Sequence, residues 1–323
     1  MQRRTFLFAS LGLGAQTLGL AATATWQSRS FVALGTTVQL KAAHVDPARL
    51  TQALDAAVRA AREVEASMSL FRADSELSQL NQLGRLADPS LHLLTVLRAA
   101  RQVSQASAGA FDVTVQPLWA LHDRARREGR LPTALEIATA RAQVGWQKLS
   151  IDPHRLRFTQ PGMAVTLNGI AQGYAADAAR QALMAHGIEH ALLDTGEFSA
   201  LGRNAQSRPW TLGVEDPRDT TRLLAALQLD GRCLATSADN RSAFTPDHRH
   251  HHIFDPATGD SPTTLSSVTV AAPTAMLADA LTKVMFVGGP GRIPALARQW
   301  RVGVLWVDKQ GRWAATPDLR LAG

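Results

Sequence analysis

The chain has 323 residues, 46% of them apolar and 19% charged, which excludes a disordered or fibrous polymer and leaves room for one large domain or two modest ones. The formal net charge of +7 comes mainly from scattered arginines, with no basic run or interleaved aromatics; that excludes a nucleic-acid module and leaves a mild pull on anionic ligands. The single Cys233 excludes an intramolecular disulfide.

The first 24 residues read as an address. Arg3-Arg4-Thr5-Phe6-Leu7 precedes a Gly-broken apolar run and an Ala-Thr-Ala cleavage site, the pattern of a twin-arginine-type signal. The mature chain is then expected to begin at residue 25 and to work in the periplasm.

Residues 31–40 read as one strand with Gly35 in its middle, where glycine suits close approach by a ligand. Asp46-Pro47 opens a long helix to about Ser67, with Leu50, Leu54, Ala57, Val58, Ala61 and Val64 on its core face. Residues 69–81 form a polar segment with Ser75 and Ser78 as capping residues. A second helix spans residues 89–107 and stops before Gly109, and residues 109–115 read as a strand. Thr133 and Glu136 match a capping box for a third helix. Short strands follow at 147–151, 155–158 and 164–167.

Residues 167–177 make a strand-to-helix junction with Gly169 and Gly173. Backbone N–H groups at a helix N-terminus favour anions, so this is a candidate phosphate cradle, though neither a P-loop nor a dinucleotide fingerprint. Strands recur at 191–194, 210–214, 223–229 and 233–236. A histidine cluster (His248, His250, His251, His252) then leads into a Pro/Gly turn, a β-rich run from Ser267 to Ala271, and a helix opened by Pro273-Thr274. On that helix Met276, Leu277, Ala280, Leu281, Val284 and Met285 form one face; Asp279, Thr282 and Lys283 share the opposite stripe, where Asp279 and Lys283 suit a solvated i,i+4 pair. The chain closes with a helix near 292–300 and strands near 302–307 and 313–315, giving one compact, bilobed α+β domain without repeats. An anion cradle, a histidine beside a turn and a helical carboxylate suit metal-assisted transfer of a phosphorylated group; a histidine-rich metal tract is an alternative.

Eight segments occur in an order that resembles the ApbE family of FAD:protein FMN transferases. They are Leu34-Gly35-Thr36, Phe71 to Asn81, Gly109 to Asp112, Asn168 to Asp177, Leu192 to Gly196, Ala235 to Ala238, His252 to Gly259, and Ala272 to Leu281. The Asn-Gly-Ile-Ala-Gln-Gly wording and the signal look most like the NosX branch. The resemblance implies an ApbE-like, T-fold-related domain of mixed and antiparallel sheets with packed helices. It also implies cleavage of the FAD pyrophosphate, attachment of FMN to a threonine of an acceptor such as a NosR-like respiratory membrane protein, and release of AMP. It assigns His252 as the base. Mg²⁺ falls to Asp279, the Gly169 carbonyl and, in place of the usual ligand, Thr282. The FAD cleft falls to Leu34, Phe71, Ala110, Phe111, Asp112, Thr166, Gln172, Ser237 and Phe254, with Thr36 beside them.

Three positions depart from the family pattern. Lys283 stands where a metal-binding threonine is usual, Thr166 replaces an acidic residue, and Gln172 replaces a charged one. Lys283 itself could neutralise the pyrophosphate. Two alternatives therefore stay open: a Mg²⁺-dependent FAD pyrophosphatase, and a flavin-binding or delivery protein without transferase activity.

Overall fold

The computed structural model describes residues 24–322. The twin-arginine-type segment lies outside them except for its last residue. The chain opens with β1 (Thr25–Ala33) and β2 (Thr36–His44), an antiparallel hairpin in register from Thr25↔His44 to Ala33↔Thr36. The single strand expected over 31–40 is therefore two strands. Leu34 and Gly35 both take positive φ (53° and 74°), as a two-residue type I′ turn requires, and Gly35 turns the chain there. Leucine is an unusual occupant; the left-handed region costs it about 1–2 kcal/mol.

Helix α1 (Pro47–Met68) starts on Asp46, whose carboxylate accepts from the N–H groups of Ala48 and Arg49. Then come α2 (Glu76–Leu83), β3 (Arg85–Ala87) and α3 (Leu91–Ala106). Residues 109–115 are not a strand: Gly109 sits at φ 84°, and Asp112 caps a 3₁₀ turn over Val113–Val115. That turn runs into α4 (Gln116–Arg127), which the sequence reading passed over. Its signals were present: Pro117 in the first turn, Leu118, Leu121, His122 and Ala125 at helical spacing, and arginines in the last turn.

The capping box of α5 (Ala134–Ala142) forms as expected, and β4 (Leu149–Asp152) and β5 (Arg155–Phe158) pair with β3 in a small sheet. Residues 164–167 form no strand; Val165 instead exchanges hydrogen bonds with the Asn81 side chain. Helix α6 (Ala171–Ala185) precedes β6 (His190–Asp194), β7 (Phe198–Leu201), the side hairpin of β8 (Thr211–Glu215) and β9 (Leu223–Gln228), and β10 (Cys233–Ala238). The chain ends with β11 (Leu265–Ala272), α7 (Ala275–Gly288), α8 (Ile293–Trp300), β12 (Gly303–Asp308) and β13 (Trp313–Ala315).

The main sheet has eight antiparallel strands in the order β1-β2-β6-β7-β10-β11-β12-β13. Helices α1 and α6 bury their apolar residues against the β1–β2–β6 end, and α7 lies against β10 and β11. All eight residues of β11 are buried, so it shows no polar alternation. Helix α7 is likewise enclosed, with Ala278, Ala280, Leu281, Val284, Met285 and Phe286 at 0–1% exposure. Of the polar stripe expected on its outside, Asp279 and Thr282 are buried and Lys283 is partly buried at the cleft, because strands and helices pack against most of the helix. No helix among the described residues is long and apolar enough to cross a membrane.

Candidate active site

A cleft of about 1010 Å³ opens between the β1–β2 turn, the loop before α4, the start of α6, the edges of β6 and β10, and the segment 252–256. It brings together most of the residues singled out from the sequence. Thr36, Ala110, Phe111, Asp112, Thr166, Gly169, Gln172, Ser237, His252 and Phe254 all line it, as does Lys283. Leu34 and Phe71 do not. Leu34 sits in the turn at the lip, and Phe71 is 79% exposed beside it, with its ring edge near Gly35. Asp279 and Thr282 also stand off the cleft surface, at 1% and 0% exposure, behind the wall that Lys283 forms.

The side chains around the cleft are held by specific bonds. The Leu34 N–H donates to Glu65 Oε1 at 2.8 Å, and its carbonyl accepts from Gln172 Nε2 at 3.3 Å, so side chains fix the lip. Asp112 Oδ1 accepts from both the N–H and hydroxyl of Thr114, and Oδ2 accepts from the Trp146 N–H at 2.9 Å. Burial pushes the Asp112 carboxyl pKa up against these bonds. The Asp112 carboxylate therefore ties two loops together as it faces the cleft. The cleft also holds Asn168 and Asp194, which lie in two of the eight segments without a role assigned to them, and Glu197 and Arg241, which lie in none. Glu197 accepts from the Thr236 N–H, and Arg241 pairs with Glu215.

His252 is partly buried and lines the cleft. Burial pushes its pKa down to about 4, and the Lys283 charge pushes the same way, so the ring is neutral at pH 7. Its Nδ1 is buried with no hydrogen-bond partner, as are those of His122, His248 and His250, but of these four rings only His252 lines the cleft. The neighbouring His251 differs. Its Nδ1 accepts from the Ile253 N–H and its Nε2 donates to the Pro262 carbonyl, so the neutral ring is fully paired and structural. A histidine metal tract does not form: among the described residues no cluster of three His, Cys, Asp or Glu side chains is placed to hold an ion.

Two contacts set the position of α7. The Asp177 carboxylate on α6 accepts from the N–H groups of Ala275 and Met276, and a Cβ on Gly173 would lie 2.2 Å from the Ala275 carbonyl oxygen. Only glycine allows this backbone-to-backbone approach. The Gly173 N–H points to Asp279 Oδ2 at 3.3 Å. At the helix N-terminus expected to cradle a phosphate, the Gly173 N–H serves the protein's own Asp279 carboxylate.

These residues do not fit a divalent cation at the expected place. Mg²⁺ needs near-octahedral oxygen donors at about 2.1 Å. The Lys283 ammonium is paired with Asp279 Oδ1, Gly173 serves Oδ2, and the Thr282 hydroxyl donates to the Asp279 carbonyl and meets Ser237 Oγ at 2.7 Å. The Lys283 side chain lies against Gly169, where a Cβ would come within 2.9 Å of Cε and 3.5 Å of Nζ. An ammonium thus stands between the carboxylate and the glycine that were assigned to the metal.

Known proteins resemble the chain over most of its length. The model of the ApbE family matches residues 34–306. The FAD:protein FMN transferase of Vibrio cholerae is 34% identical over 261 residues, 78% of each chain, and that of Haemophilus influenzae 32% over 258 residues, 75% of this chain and 74% of the relative. Among solved structures, the Thermotoga maritima ApbE protein superposes with a TM-score of 0.82 at 27% identity, covering 91% of this chain and 97% of that one. The apo Pseudomonas stutzeri flavinyl transferase ApbE gives 0.78 at 30% identity, covering 91% and 94%. With the family model spanning residues 34–306 and curated relatives above 30% identity over three quarters of the chain, the chain belongs to the ApbE family.

Proposed function

We propose that this chain is an FAD:protein FMN transferase that acts on a threonine of an acceptor protein. The observation that carries the reading is His252, neutral at pH 7 and without a partner for Nδ1, on a cleft whose walls come from segments spread along the whole chain. In the step proposed, the threonine oxygen bonds to the FMN-side phosphorus of FAD. The bond from that phosphorus to the bridging oxygen breaks, AMP leaves with the electron pair, and the hydroxyl proton passes to His252. The pyrophosphate lies near Lys283 and the start of α6. Thr166 and Gln172 offer uncharged polar groups along the same wall, so these two positions add no carboxylate against the anion. No step runs through a metal, because Asp279 and Thr282 are committed elsewhere and the Lys283 side chain lies against Gly169.

The reading extends to place and partner. The segment 1–24 sends the chain to the periplasm, residues 25–323 form the transferase domain, and the acceptor is a NosR-like respiratory membrane protein of the kind a NosX-branch enzyme would serve. The test mixes the full chain with FAD and a threonine-bearing acceptor domain and weighs the acceptor by mass spectrometry. A gain of one FMN unit with stoichiometric AMP is expected. Free FMN and AMP with an unchanged acceptor would make the chain a pyrophosphatase, and bound but intact FAD would make it a delivery protein.

A further inference from the structure

The cation facing the cleft at the pyrophosphate end belongs to the chain itself. Lys283 follows Asp279 by one helical turn, and its side chain is 19% exposed against 1% for the carboxylate, so the ammonium fronts the cleft and the carboxylate backs it. Two of the three ammonium N–H donors are taken, by Asp279 Oδ1 and by the Asp279 carbonyl at 3.1 Å. The third is left for a ligand. The alkyl chain lies against Gly169, where a Cβ would meet its Cε at 2.9 Å and push it aside.

We propose that the Lys283 ammonium replaces the divalent metal of this site, so that the enzyme binds and cleaves the FAD pyrophosphate without Mg²⁺. The inference rests on the transferase reading, which puts that pyrophosphate in the cleft. Asp279 then acts as a positioning residue that holds the ammonium toward the ligand. As the phosphorus–oxygen bond to AMP breaks and charge gathers on the leaving phosphate, the fixed ammonium offsets it at short range. The threonine proton still goes to His252, and no further reactant is needed.

The test uses the full chain, with Mn²⁺ as a paramagnetic probe of the metal seat and FAD titration with either chelator or Mg²⁺. The wild type is expected to leave Mn²⁺ free, with and without FAD, and to bind FAD equally under both conditions. Lys283→Thr should take up Mn²⁺ and bind FAD more tightly when Mg²⁺ is added. Lys283→Met should weaken FAD binding by roughly tenfold or more, the loss of one charge-assisted hydrogen bond, with no recovery in Mg²⁺. Because Lys283→Met strands the Asp279 charge, the Asp279→Asn/Lys283→Met double variant is measured beside it and should show the same loss.

Mn²⁺ bound by the wild type, or FAD affinity that chelator abolishes, would overturn the assignment. That readout stands even where a variant fails to fold. FAD binding without FMN transfer would sink the transferase reading and leave the metal question answered by the Mn²⁺ signal. Failure to bind FAD in either condition would sink both.

Discussion

Asp177 on α6 accepts two backbone N–H groups from the first turn of α7, those of Ala275 and Met276, each at 2.9 Å. It does for α7 what a capping side chain does from within a helix's own sequence, but across two elements. Asp177→Ala is therefore expected to lower stability by about 1–2 kcal/mol in denaturant unfolding. A loss below a few tenths would mean that Thr274, which also caps α7, suffices alone.

Gly173→Ala tests the same junction by bulk. The added methyl would fall on the Ala275 carbonyl, and the overlap is expected to cost about 1–3 kcal/mol. It should also weaken FAD binding, since α7 carries Lys283 into the cleft. Unfolding and FAD titration read the two effects separately; lost stability with unchanged FAD affinity would detach the site from this contact.

His252→Ala should keep FAD binding and slow FMN transfer by about 10²–10⁴-fold, the usual contribution of a positioned base. The pH profile of kcat/KM should carry its acid limb near the lowered pKa of about 4, since the ring must be unprotonated to accept the proton. An acid limb near 6.5 would mean an unshifted histidine serves.

Stability against pH should show both buried rings. The folded-state pKa values of His251 and His252 lie at about 3 and about 4, below the unfolded value of 6.5, so the unfolded chain binds protons that the native one refuses. Their contribution is whole above pH 6.5. It is lost as pH falls toward 4 and then 3, at roughly 1 kcal/mol per pH unit for each ring. His251→Gln should flatten part of this slope; a slope unchanged by the substitution would place its origin elsewhere.

Much of the cleft was legible because its wall is built from short, distinctive runs: Gly109 to Asp112, Asn168 to Asp177 and His252 to Gly259 each bring a lining residue. What failed was anything that depends on what covers an element. Asp279 and Lys283 have the same i,i+4 spacing on a solvated helix as on a buried one, and only the strands and helices packed around α7 decide between them. The Leu34–Gly35 turn was missed because leucine is a poor turn residue, and side chains from Glu65 and Gln172 hold it there instead. The role of Asp177 depends on α7, nearly a hundred residues away, whose first turn lies across its carboxylate, so no spacing within α6 specifies it.

The contact between Gly173 and Ala275 leaves no room for a side chain between α6 and α7, and Asp177 bonds the two helices beside it. Gly169 and Gln172 at the start of α6 and Lys283 on α7 therefore travel as one block, like the fixed jaw of a vice. Any widening of the mouth to admit a bulky dinucleotide falls to the opposite jaw. There the β1–β2 tip hangs from the Glu65 and Gln172 side chains, and swinging it outward would break two hydrogen bonds without disturbing the sheet behind.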